Sequence, residues 1–433
     1  MRKLQIPNNW LPRSYQLPLW NALEGGCKRA VAVWHRRAGK DSVGIHWATT
    51  AALQRVGTYW HMLPTLAQGR KVVWDGITRD GRKVMDAWPD ELIVHRRNDE
   101  MKLELRNGSV WQVVGSDNYN SLMGANPVGV VFSEYSLADP AAWDFIRPIL
   151  VENGGWALFL YTPRGKTHGY ILYRTAQQAE DWYSSRLTVD DTDAIPLDAI
   201  QAEREAGMSE EMIQQEFYCS FEAPLSGSYY AAQMMDAEKE NRITNVAYDQ
   251  HVPVETWWDL GVADATAIWF AQRVAKEIHM IDYYENSGEA LAHYVKVLQD
   301  RGYVYGDHVL PPDVRARELQ TGKSRVDALK ALGLEPKILE KAGIEDGIEA
   351  VRVMLPKCWF DQTKCARGIE ALRQYRKEPA PVKLWGGSDE PVYKDKPLHD
   401  WTSHGADAFR YGAMWAPIKR DWAPLEYDNR GIR

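Results

Sequence analysis

Two α/β domains in series, the first on a mostly parallel sheet and the second on a mixed sheet, are expected from these 433 residues. Three observations lead there. The chain is too long for one ordinary core, so it should divide. Its first half alternates apolar runs with helix-like stretches, the order that builds a parallel sheet. Beyond about residue 250 three apolar runs follow one another too closely for intervening helices, which predicts an antiparallel meander.

In the first half, Ala30-Val31-Ala32-Val33-Trp34 reads as a buried strand followed by a helix from about Lys40. Thr58 to Leu63 is a second strand with helical pattern after Pro64. Leu103 to Arg106 and Ser109 to Val114 flank Asn107-Gly108 and read as a hairpin closed by a type I′ turn. Val128 to Phe132 and Trp156 to Tyr161 are apolar enough for central strands covered on both faces. An acidic helical stretch, 196–222, closes this domain, placed at 1–223. Pro224-Leu225-Ser226-Gly227-Ser228 has linker composition, and 224–250 is taken as the linker. The second domain, 251–417, holds strands at Thr256 to Asp259, Thr266 to Phe270 and Ile278 to Tyr283, then a helix at about 288–302. Val309-Leu310 leads into Pro311-Pro312-Asp313, and the rest is mostly helical. The polar tail 418–433 is expected to be poorly ordered.

Hydrophobic residues make up 45% and charged residues 26%, ordinary for a globular protein. The 19 tryptophans read as core or groove-lining residues. No apolar run is long enough for a bilayer, and MRKLQIPNNW lacks a signal-peptide core, so a cytoplasmic protein is expected. Cys27, Cys219, Cys358 and Cys365 form no CxxC pair, and no His cluster completes a zinc site. A net charge of −7 argues against an indiscriminate basic coat for nucleic acid. Residues 1–106 nonetheless hold 18 Lys and Arg against 10 Asp and Glu, while 152–222 hold 5 against 13. Such asymmetry can steer a polyanion to one face, or it can be solvated helix surface.

A strand, the loop Arg36-Arg37-Ala38-Gly39-Lys40-Asp41-Ser42 and a helix form the context of a P-loop. There, backbone N–H groups at the helix start hold phosphates and the lysine neutralises them. The usual first glycine falls at Trp34, Asp41 occupies the usual Ser/Thr position, and Ser42 comes one residue late. A P-loop ATPase also needs a carboxylate at a neighbouring strand end to position water. Val130-Val131-Phe132-Ser133-Glu134 supplies Glu134, with Ser133 where an aspartate usually precedes it. The next strand delivers Thr162 to the same edge, the edge where open α/β sheets bind ligands.

The second half offers Asp259 ending the first meander strand, Asp313 after the fourth strand, and Asp407 in His404-Gly405-Ala406-Asp407-Ala408. A meander followed by a helix-flanked fourth strand suggests an RNase H-like fold. Carboxylates there converge on two magnesium or manganese ions that cleave phosphodiesters. Asp264, Asp282 and Asp400 are rivals, and His404 either orients Asp407 or is an ordinary half-buried histidine. Thr321-Gly322-Lys323-Ser324 imitates a phosphate loop without a preceding strand. With Arg315, Arg317 and Arg325 it reads better as phosphate-backbone contact, or, for each residue taken singly, as a solvated loop. Arg367, Arg373, Arg376 and Lys377 form a second basic cluster on a helix.

Arg36-Arg37-x-Gly39-Lys40, Ser133-Glu134-Tyr135 and Thr162-Pro163-Arg164-Gly165-Lys166 resemble the ATPase half of tailed-bacteriophage terminase large subunits. Tyr15-Gln16 resembles that family's adenine-reading motif, and the three aspartates resemble its nuclease domain. The resemblance implies a P-loop ATPase domain with a mostly parallel sheet followed by an RNase H-like nuclease domain with a mixed sheet. It implies ATP binding by Gln16, Arg36, Arg37, Gly39, Lys40, Asp41, Ser42 and Thr162, with Glu134 activating water and Thr162 coupling hydrolysis to motion. It implies Mg2+ or Mn2+ at both sites, with Asp259, Asp313 and Asp407 as catalytic metal ligands. Double-stranded DNA, a portal protein, a small terminase subunit and a homo-oligomeric ring at the procapsid portal vertex are the implied partners. Met123 stands where many members carry an arginine; if that arginine serves hydrolysis in relatives, another residue, such as Arg147 or Arg164, must substitute. The rivals are an RNase H-like resolvase or transposase, and a DNA-binding assembly factor with an inactive ATPase.

Overall fold

The computed structural model describes residues 4–78, 80–222, 225, 227–261, 265–315, 324–380 and 393–415. They fall into two compact units, one from 1–227 with 378–395 and the other from 228–377 with 396–433.

The strands of the first unit are β1 (Arg29–Trp34), β2 (Thr58–Leu63), β3 (Ile93–Arg97), β4 (Lys102–Leu105), β5 (Val110–Gly115), β6 (Pro127–Ser133), β7 (Trp156–Tyr161) and β8 (Trp182–Leu187). Its helices are α1 (Leu17–Glu24), α2 (Lys40–Gln54), α3 (Leu66–Gly69), α4 (Pro140–Glu152), α5 (His168–Gln178), α6 (Val189–Thr192), α7 (Leu197–Glu205) and α8 (Glu210–Glu216). The sheet order is β3-β4-β5-β2-β6-β7-β1-β8. From β5 to β8 neighbouring strands are parallel; β3 and β4 fold back antiparallel at one edge. Every residue of β1, β6 and β7 is buried, as expected of strands covered on both faces. The carboxyl ends of β1, β7 and β6 therefore lie side by side.

The β4–β5 hairpin differs from its expected turn. The Leu105 N–H bonds the Ser109 carbonyl at 2.8 Å, and Gly108 alone takes a positive φ, 92°. The connection is thus a three-residue loop with glycine at its left-handed position, whereas a type I′ turn needs Asn107 at positive φ too.

The second unit holds β9 (Ile243–Thr244), β10 (Val254–Asp259), β11 (Ala265–Val274), β12 (Glu277–Ser287), β13 (Tyr305–Leu310), β14 (Pro336–Ile338) and β15 (Cys358–Asp361). Its helices are α9 (Ala231–Lys239), α10 (Leu291–Arg301), α11 (Arg325–Ala331), α12 (Ile344–Met354), α13 (Ala366–Gln374) and α14 (Trp401–Met414). The sheet runs β14-β13-β10-β11-β12-β15-β9. The β10–β11–β12 meander is antiparallel, and β13 lies parallel to β10 with β14 parallel beyond it. This is the strand arrangement of an RNase H-like fold.

One expectation needs correction. Residues within the supposed linker 224–250 form α9 and β9: Tyr230, Met234 and Ala237 are buried, and β9 pairs with β15. The described stretch after Leu310 is mostly helical, as expected, with the short strands β14 and β15 among its helices. Among the described residues no helix is long and apolar enough to cross a membrane.

Candidate active sites

In the first unit β1 ends at Trp34 and the chain reaches α2 in five residues, two of which, Arg37 and Gly39, adopt left-handed φ values of 70° and 76°. At Gly39 only glycine escapes the strain, and an added Cβ would also lie 2.9 Å from the Gln16 amide nitrogen. Lys40 opens α2 and is buried. Its Nζ donates to Thr162 Oγ1 at 3.1 Å and lies 3.4 Å from Glu134 Oε1. Thr162, just past β7, in turn donates to the Trp34 carbonyl at 3.1 Å. Glu134, just past β6, is itself left-handed, with φ 52° and ψ 42°. Three adjacent strand ends thus bring Lys40, Thr162 and Glu134 together, as the sequence predicts.

Asp41, Ser42, Arg36 and Arg37 line the same groove as these residues. Ser133 lies behind it, 1% exposed, and its Oγ donates to Asp41 Oδ1 at 2.5 Å. Gln16 is 1% exposed, donates to the Ala38 carbonyl at 2.9 Å and accepts the Arg13 N–H at 3.0 Å. The Tyr15 hydroxyl donates to the same carbonyl at 3.1 Å. Tyr15 and Gln16 therefore hold the phosphate loop itself.

Glu216, at the end of α8, is the residue sequence reasoning missed. Its buried carboxylate pairs with Arg164, and Arg36 NH1 lies 3.6 Å from its other oxygen. Burial pushes this carboxyl up, yet Arg164 and Arg36 outweigh it and hold it below the usual carboxylate range. Nothing in the sequence separates Glu216 from the other acids of 152–222. Arg164 and Glu216 both line the groove. Arg147 is exposed on α4 and acts on Arg29, at the opposite end of β1 from the phosphate loop.

In the second unit Asp259 ends β10, and Asp313 follows the parallel strand β13, so both leave the sheet at one edge. Helix α14 crosses β10 so closely that a Cβ on Gly412 would meet the Trp257 ring at 1.8 Å. That crossing brings His404 Nδ1 to 3.6 Å from Asp259 Oδ2. His404 thus faces Asp259 and is half-buried; the sequence left open whether it orients Asp407 or is an ordinary half-buried histidine. The Asp407 Oδ1 accepts the Tyr375 hydroxyl at 3.0 Å and two Arg410 nitrogens at 3.1 and 3.2 Å. Asp313 lies 3.8 Å from Arg325.

Burial pushes the Asp259 carboxyl up; the hydrogen bond from His404 opposes this, and Asp407 and Asp313 push it further. The three carboxylates are hard oxygen donors within electrostatic reach of one another, which suits a divalent cation. Among the described residues, though, no three His, Cys, Asp or Glu side chains are close enough to hold one ion. Asp407 and Asp313 each face an arginine instead.

Two rivals have structural work of their own. Asp282 accepts Arg301 Nε at 2.6 Å, while Asp400 caps α14 and pairs with Arg376 at 3.1 Å. Asp264, Arg317 and Thr321-Gly322-Lys323 lie outside the described residues. Arg367 and Arg373 of the second basic cluster are engaged with Glu285 at 3.0 Å and Glu238 at 3.5 Å.

No protein-family model matches the chain. A full-length comparison finds it 23% identical over 424 residues to the terminase large subunit of Escherichia phage T5, covering 93% of this chain and 90% of that protein. The chain is similar to that terminase large subunit along nearly its whole length. Among solved structures it is similar to the large terminase of a thermophilic bacteriophage in complex with ADP, at 15% identity, covering 92% of this chain and 98% of that one, with a TM-score of 0.42. The ATPase domain of the Thermus phage P74-26 large terminase matches 50% of this chain and 99% of its own, at 19% identity and a TM-score of 0.42. The SPP1 large terminase nuclease domain with bound Mn matches 37% of this chain and 84% of its own, at 16% identity and a TM-score of 0.28.

Proposed function

We propose that this chain is the motor subunit of a phage DNA-packaging machine, hydrolysing ATP to drive double-stranded DNA into a procapsid and cutting concatemeric DNA with a metal-dependent nuclease. The observation that carries the reading is the end-to-end match to a terminase large subunit in a chain that pairs a Lys40–Thr162–Glu134 cluster with an aspartate trio on an RNase H-like sheet.

In the first site Lys40 and the N–H groups at the start of α2 hold the phosphates of ATP. Glu134 is placed to accept a proton from the attacking water once Lys40 turns to phosphate. Thr162, bonded to both Lys40 and the end of β1, registers the lysine's change of partner. In the second site Asp259, Asp313 and Asp407 would hold divalent ions, with Arg410 and Arg325 moving aside. Such ions, when bound, stabilise the attacking and leaving oxygens of phosphodiester cleavage. His404 steadies the half-buried Asp259 carboxylate. The reading assigns a portal protein and a small terminase subunit as partners, assembly as a homo-oligomeric ring, and a place in the host-cell cytoplasm with transient attachment at the portal vertex. Its DNA contacts are independent of base sequence.

The two activities should separate. Lys40→Ala is expected to abolish ATP hydrolysis and leave Mn2+-dependent nicking of plasmid DNA intact; Asp259→Ala should do the reverse. ATP turnover unchanged in the lysine variant would defeat the motor reading.

A further inference from the structure

Two departures from the usual phosphate-loop pattern are single substitutions when taken separately. The residue after the phosphate-binding lysine is ordinarily a hydroxyl residue and here is Asp41. The residue before the strand-end glutamate is ordinarily an aspartate and here is Ser133. The fold joins them. Ser133 is the last residue of β6 and Asp41 sits in the first turn of α2, yet the Ser133 Oγ donates to the Asp41 Oδ1 at 2.5 Å.

We infer that the magnesium site of the ATPase is transposed: Asp41 supplies the carboxylate from the helix side and Ser133 the hydroxyl from the strand side. This rests on the ATPase reading above. The pair keeps one carboxylate and one hydroxyl, so the formal charge of the site is that of the usual arrangement. What changes is which side holds the charge. Asp41 lines the groove beside Lys40 and Glu134, whereas Ser133 is buried behind it. The serine hydroxyl, having spent its proton on Asp41 Oδ1, fixes that carboxylate's orientation and leaves the other oxygen to face a cation. Carboxylate oxygen suits magnesium well, and an orienting hydrogen bond behind a ligand is the usual support for such a site. Ser42, one residue late for the customary role, is not required by this arrangement.

A reciprocal exchange tests it. The affinity of full-length protein for a fluorescent non-hydrolysable ATP analogue is measured with Mg2+ and with EDTA, and the ratio of the two is the readout. Wild type should bind more tightly with Mg2+. Asp41→Ser leaves two hydroxyls and no carboxylate; Ser133→Asp leaves two carboxylates pressed together. Each single variant should lose about 10-fold or more of the Mg2+-dependent gain. The double variant D41S/S133D restores one of each and should recover to within about 3-fold of wild type, with ATP turnover returning alongside. Thermal melts of all four proteins identify any variant that fails to fold, and Ser133→Ala, which keeps the carboxylate but not its orienting donor, provides a milder single variant with a partial loss. A double variant no better than the worse single, or singles indistinguishable from wild type, would overturn the transposition alone. Wild-type protein that binds the analogue no more tightly than Lys40→Ala would overturn the ATPase reading and this inference with it.

Discussion

Lys40 and Glu134 face each other across 3.4 Å, and the pairing offsets the cost of keeping a cationic side chain buried. Arg164 has a similar arrangement with Glu216. Because Arg164 lines the groove and Arg147 does not, Arg164 is the arginine expected to meet the transferring phosphate in place of the one Met123 displaces. Arg164→Ala should lower kcat by about 100- to 1,000-fold, and Arg147→Ala should leave it near wild type; equal losses in steady-state ATPase assays would refute the choice. Two histidines, His46 buried and His308 half-buried, set a pH limit. His46, stacked on Trp10 with centroids 4.6 Å apart, and His308, bonded to Thr256, are both pushed down to about 4 by burial. Since the folded state prefers the neutral ring, their contribution is complete above the unfolded value near 6.5 and is lost as pH falls towards 4. Stability should fall there by about 1.4 kcal/mol per pH unit for each histidine. His308→Gln should flatten that slope in urea titrations of the second unit's unfolding.

Strands and helices show why some elements were legible in the sequence and others were not. β1, β2, β6 and β7 are near-continuous apolar runs because both their faces are covered, and the site residues at their carboxyl ends followed directly from that pattern. β8 and β3 are sheet edges with polar residues, such as Ser184 and Ser185 or Arg96 and Arg97, and carry no such signature. β14 and β15 are three and four residues long, too short to show any period. Lys40, Glu134, Thr162, Asp259 and Asp313 stood out because each follows or ends a strand, whereas Asp407, inside α14, was singled out by the family resemblance. Glu216 and the Ser133–Asp41 bond were not legible, because each depends on segments 52 or 92 residues apart meeting in space. The α14–β10 crossing is a similar long-range fact with an energetic consequence. Gly412→Ala would drive a methyl group into Trp257, whose ring is fully buried and has nowhere to go. A loss of about 1–3 kcal/mol or more is expected. Because His404 and Asp407 ride on the same helix, plasmid nicking should fall with it, and unchanged melting would show the crossing to be looser than described.

Considered whole, the chain is two units with two chemistries, and each site is built at one edge of its own sheet. The acidic net charge of −7 conceals a basic first stretch, which is why composition alone pointed weakly to a nucleic-acid partner. The residues between the units belong to the second one: Tyr229 and Tyr230 pack against Tyr375, α9 buries Met234, and β9 closes the sheet beside β15. Edge strands left bare are templates for pairing with other chains. A nuclease fragment that starts at residue 251 would lose the cover over β15 and part of its apolar floor, and should aggregate on expression. One that starts at residue 228 should remain monodisperse in size-exclusion chromatography. Two residues of β9, too few to attract notice as secondary structure, would then be the chain's guard against self-association.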